Sequence, residues 1–169
     1  MKNSLLIMLA FLACHSCRGW FPPDVGVTGI QMKNNASYDI ACYVADGLNS
    51  GFSYPDTLLS LKINSFCLTE EIKDSDWIYG LRVREGYDGL VQFTKKGILS
   101  VFVFNQEDVR TIGLEEVFFN NLYIVRYDLS AEDLRLMKGI IFFPPCESMI
   151  NIHMFPAYEH FIIKSESDE

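Results

Sequence analysis

Positive charge is scarce in this chain. Fourteen Lys and Arg stand against 22 Asp and Glu, for a formal net charge of -8, and the cations nowhere cluster. That balance argues against nucleic acid and anionic membrane surfaces as partners, because both select basic patches. No apolar run approaches the ~20 residues that a spanning helix needs. Catalytic signatures are missing as well. There is no Gly-x-Ser-x-Gly elbow, and Gly86, Gly89 and Gly97 are not followed by a helix that could cradle phosphate. Asp74 and Asp76 resemble the start of a calcium loop, but the glycine and distal glutamate of that loop are absent, so a solvated turn is the reading. No cofactor is expected. No internal repeat or linker divides the sequence.

What is present begins with a leader. Lys2 precedes the apolar run Leu5 to Ala13, which is long enough for a signal h-region and too short to cross a bilayer. It ends at Cys14-His15-Ser16-Cys17. A cysteine directly after a small residue and a short h-region is the pattern of a bacterial lipoprotein signal. Cys17 is the preferred lipid acceptor and Cys14 the alternative, since cleavage before Cys14 would leave a very short leader. Neither site has an ideal residue three positions upstream. A plain signal peptide or an uncleaved anchor is the competing reading. The expected layout is a signal peptide over 1–16, a tether over 17–25, one β-rich domain over 26–164 and an acidic tail over 165–169. An exported chain would place Cys42, Cys67 and Cys146 in an oxidising compartment, where one disulfide can form among them. The sequence does not choose the pair, and three buried apolar cysteines are an equally good reading.

The organising stretch is Leu122 to Pro145, LYIVRYDLSAEDLRLMKGIIFFPP. It predicts strand, capped helix, strand. Ser130 suits the N-cap, with Glu132 and Asp133 in the first turn. Leu129 and Leu134 are placed for a hydrophobic staple, and Gly139 can adopt the left-handed stop. Pro144 and Pro145 cannot continue a ladder. Further strands are expected at Val27 to Lys33, Tyr38 to Val44, Thr57 to Leu68, Trp77 to Arg84 and Leu90 to Phe93, with late ones at Met149 to Phe155 and Phe161 to Lys164. Ile98 to Phe104, almost wholly apolar, should be central and buried on both faces. A loop is expected over Asn105 to Arg110 and a second short helix over Gly113 to Asn120. The fold class read from this pattern is mainly β: a single β-sandwich-like domain with two short helices. An α+β sheet with helices on one face is the alternative.

Several segments carry a family resemblance. Asn34-Asn35, Tyr54-Pro55-Asp56-Thr57, Arg126-Tyr127-Asp128-Leu129-Ser130 and Phe143-Pro144-Pro145 resemble matching segments of small uncharacterised lipoproteins of Bacteroides and related gut bacteria. The likeness covers most of the mature chain and departs at Phe143, at Phe155-Pro156-Ala157 and over 65–89. It implies a lipid anchor and an exported location, in the outer membrane or periplasm. It implies no catalytic residue.

The remaining constellations are weak. His153 and His160 flank Glu159, with Cys146 upstream, which is too few ligands at undiagnostic spacing for a metal or a nucleophile. Asp56-Thr57-Leu58 looks like the Asp-Thr-aliphatic sequence that such bacteria O-glycosylate, and an Asx-type turn explains it equally well. Asn35-Ala36-Ser37 fits the general N-glycosylation pattern, which most bacteria do not use. Trp20, Trp77, Tyr79 and Tyr87 could form an aromatic platform for sugar, but the alternation around Trp77 and Tyr79 favours core. The functional expectation is a lipid-anchored envelope protein with a binding or structural role and a protein or glycan partner. The alternatives are an accessory glycan-binding module and an enzyme with an unrecognised site.

Overall fold

The computed structural model describes residues 28–45, 54, 70–72, 77–83, 86–92 and 94–162. Its elements run β1 (Thr28–Asn34), β2 (Ile40–Ala45), β3 (Glu70–Ile72), β4 (Trp77–Val83), α1 (Gly86–Val91), β5 (Leu99–Asn105), α2 (Gln106–Ile112), α3 (Leu114–Phe119), β6 (Tyr123–Leu129), α4 (Ala131–Leu136), β7 (Ile140–Phe143) and β8 (His153–Phe155). The strands form a three-stranded sheet of order β4-β1-β7 and a five-stranded sheet of order β3-β2-β5-β6-β8. Among the described residues the class is α+β with no closed barrel, the class of the stated alternative; two separate sheets and five short α-helical segments stand where a single sandwich with two helices was expected.

β5 occupies the middle of the larger sheet, paired antiparallel with β2 and β6. Its side chains are buried from Leu99 through Phe104, as an unbroken apolar run requires. One face contributes Val101, Val103, Val125, Tyr127 and Leu129 to a core that also takes Ile30, Met32, Ile141 and Phe143 from the smaller sheet. The opposite face carries Tyr43, Phe102 and Phe104, which pack with Val117 and Phe118 of α3. Val109 of α2 and Leu114 of α3 lie against this second cluster. The helices α2 and α3 thus cover a face that the sequence left unassigned.

The stretch from β6 to β7 crosses between sheets. β6 belongs to the larger sheet, whereas β7 pairs parallel with β1, from Gln31↔Ile140 to Asn34↔Phe143. The Ser130 hydroxyl accepts from the Asp133 N–H at 3.2 Å, and the Asp133 carboxylate accepts from the Ser130 N–H at 2.8 Å, a reciprocal cap. Past the C-cap at Met137 the chain turns left-handed at Lys138 (φ 54) and Gly139 (φ 73), and the Gly139 carbonyl accepts from the Gln31 N–H at 2.8 Å. Helix, turn and sheet join are therefore one continuous hydrogen-bonded unit.

Four sequence expectations are corrected here. No strand begins at Leu90: α1 occupies Gly86–Val91 and buries Leu90 and Val91. Its two glycines concealed the helical period. The expected loop at Asn105 to Arg110 is α2, capped by Asn105, whose side chain accepts from the Glu107 N–H at 2.8 Å. Acids at Glu107 and Asp108 and a base at Arg110 complement its dipole. The edge strand expected over Met149 to Phe155 shortens to β8, preceded by a 3-10 turn at Glu147–Met149. Residues 159–162 are helical, so no strand begins at Phe161. The expected strand at Thr57 to Leu68 lies outside the described residues.

Candidate functional site

The densest polar cluster sits on β6, on the face that α2 and α3 leave uncovered toward β8. Alternation puts Arg126 and Asp128 on one side of the strand, with Val125, Tyr127 and Leu129 on the other. Register then sets a row across three strands: Ser100 opposite Asp128, and Asp128 opposite His153. Arg126 stands between Phe102 and Phe155 in the next row. Arg126 is 5% exposed and Asp128 2%. Charges so buried require close partners.

Asp128 has them on both oxygens. Oδ1 accepts from the Ser100 hydroxyl at 2.5 Å. Oδ2 accepts from Arg126 Nε at 3.1 Å and Nη2 at 2.7 Å. His153 Nδ1 also reaches Oδ2, at 3.0 Å, while its side chain stays 65% exposed. A carboxylate paired with a guanidinium has no proton to give, so the hydrogen between the two groups sits on His153 Nδ1. In the tautomer with that hydrogen on Nδ1, Nε2 is the acceptor, and the bond to Asp128 fixes its direction. Asp128 holds the ring as the acid of a hydrolytic triad would, but the serine lies on the carboxylate and not on the imidazole. That order provides no activated nucleophile.

Aromatic rings line the approach. Tyr54 and His153 meet edge-to-face with ring centroids 6.2 Å apart, and Lys96 Nζ lies 5.9 Å from the Tyr54 centroid. Phe155, two residues along β8 and 59% exposed, contacts Tyr123 at 6.2 Å. Tyr123 in turn meets Phe102 at 5.4 Å, so surface rings join the buried aromatic cluster. Burial raises the Tyr123 pKa; the Arg126 charge opposes this and the Asp128 charge adds to it.

The residues singled out by sequence do not converge. His153 reaches this cluster, whereas His160 is exposed on the last helical turn. Cys146 lies 3.1 Å from the Ser148 hydroxyl. Among the described residues no three His, Cys, Asp or Glu side chains are grouped to hold a metal. Cys42 is buried in the larger core and Cys146 packs against it, and no bond joins the two. Tyr87 packs against that core as well. Cys14, Cys17, Trp20, Thr57 and Cys67 lie outside the described residues, as do the side chains of Trp77 and Tyr79.

Ser100, Arg126 and Asp128 escaped the sequence reading. The signal was available: one serine within an otherwise apolar central strand, and opposite charges two apart on a strand otherwise bound for the core. Among the described residues no helix is long and apolar enough to cross a membrane. No protein-family model matches the chain, and no curated protein and no solved structure matches it either.

Proposed function

We propose that this protein is exported and held at the cell envelope by lipid on Cys17, where it acts by binding or support and not by catalysis. The observation that carries the reading is the apolar leader ending at Cys17, followed at once by a proline-containing tether. The resemblance to small lipoproteins of Bacteroides supports the same placement. The lack of catalysis is supported by the polar cluster on β6. Both oxygens of Asp128 are occupied by its neighbours, and the Ser100 hydrogen is donated to Asp128.

Fractionation of cells fed labelled palmitate tests the anchor. The native chain should carry label and sediment with membranes, and Cys17→Ala should abolish both. Label retained in Cys17→Ala and lost in Cys14→Ala would move the lipid to Cys14. An unlabelled, cytosolic native chain would end the reading altogether. Intact mass of the same material also reports a glycan on Thr57 and any disulfide among Cys42, Cys67 and Cys146.

A further inference from the structure

We propose that the outer face of β6 and β8 is a binding site for neutral carbohydrate, with Phe155 as its stacking platform and His153 Nε2 as its hydrogen-bond acceptor. The proposal does not depend on the lipid anchor. It builds a sugar site from residues other than Trp20, Trp77, Tyr79 and Tyr87.

The first ground is the pairing of two exposed groups on one strand face. Met154 points into the core, so His153 and Phe155 share the outward side of β8, about 6.6 Å apart at ~3.3 Å per residue. Tyr54 closes one end of this row and Tyr123 the other. Rings in such a line offer flat apolar faces at low entropic cost.

The second ground is the imidazole. Its hydrogen is committed to Asp128, which Arg126 and Ser100 fix from below. Nε2 therefore faces the surface as an oriented acceptor. The matching ligand must bring a hydrogen-bond donor at its edge and C–H surface on its face. A pyranose has both, with hydroxyls around the rim and C–H bonds on the flat side. A purely apolar partner would gain nothing from a fixed acceptor. The third ground is charge. A chain with net charge -8 repels polyanions, which leaves neutral glycans favoured over acidic ones.

Isothermal titration of the full-length protein, in a zwitterionic detergent without sugar headgroups, tests this. The probes are maltohexaose, cellohexaose, xylohexaose and mannohexaose. At least one should bind, with affinity falling about tenfold in Phe155→Ala and in His153→Ala. Leu136→Ala, at an exposed position on α4, should leave binding unchanged. Should either site variant fold poorly, the native protein gives a second readout: bound hexasaccharide should slow modification of His153 by diethylpyrocarbonate more than that of His160. Heat from none of the four probes would overturn the proposal. So would binding that both variants retain, or a native dimer that Phe155→Ala dissociates while no sugar binds.

Discussion

The Asp128 carboxylate joins side chains from three adjacent strands, its own included. It neutralises Arg126 at a position that water barely reaches, and it takes hydrogen bonds from two neighbouring strands. A buried ion pair adds little net stability, but removing one partner strands the other charge at a cost of several kcal/mol. Asp128→Asn should therefore destabilise the protein by about 3 kcal/mol or more. Equilibrium denaturation in urea measures this; a loss below 1 kcal/mol would mean that Arg126 finds another counter-charge. The pairing was readable only in part. Arg126 and Asp128 have the two-residue spacing of one strand face, and the sequence shows that much. That Ser100 and His153 meet them follows from the register of β5 and β8, which is set by contacts far apart in the chain.

Among elements, the β6–α4–β7 unit was legible nearly residue by residue, because its signals are local. Ser130 caps, Asp133 returns the bond, and Gly139 is left-handed as expected, although Lys138 before it already is. The sheet change after it was not legible, because parallel pairing of β7 with β1 leaves no mark within either segment. Gly139 ties the two facts together. A Cβ there would lie 2.5 Å from the Gly29 carbonyl oxygen and 2.7 Å from the Tyr87 hydroxyl, on a backbone already at φ 73. Gly139→Ala should cost about 2 kcal/mol or more, from left-handed strain plus overpacking. The melting temperature should fall by several degrees; an unchanged value would show that β1 and the turn can shift apart. Short helices fared worse. α1 and α2 have too few turns to show a period, and α2 was betrayed only by Asn105 and the acids behind it.

For the whole molecule, pH is the broadest test. Tyr127 is buried, and its hydroxyl donates to the Phe142 carbonyl at 2.9 Å. Burial pushes its pKa well above the ordinary tyrosine value, with smaller contributions from Cys42, Cys146 and Tyr38. Burial also raises Tyr38. Unfolded tyrosine ionises near pH 10, while the folded phenol keeps its proton. The unfolded state then binds fewer protons, so stability falls as pH rises past about 10. The loss can approach ~1.4 kcal/mol per pH unit for one fully protected group. Thermal melts should be flat between pH 7 and 9 and drop by pH 11, and Tyr127→Phe should soften that drop. An identical alkaline slope in the variant would assign the effect to other groups.

β1 has partners on both sides, and one of them is supplied by the last third of the sequence. A growing polypeptide cannot finish its smaller sheet until residues 140–143 have been made. Ladders that join distant segments form slowly, because the loop must close before any bond rewards it. β1 can pair with β4 as soon as residue 83 is made, so closure on β7 is the late step that completes the smaller sheet.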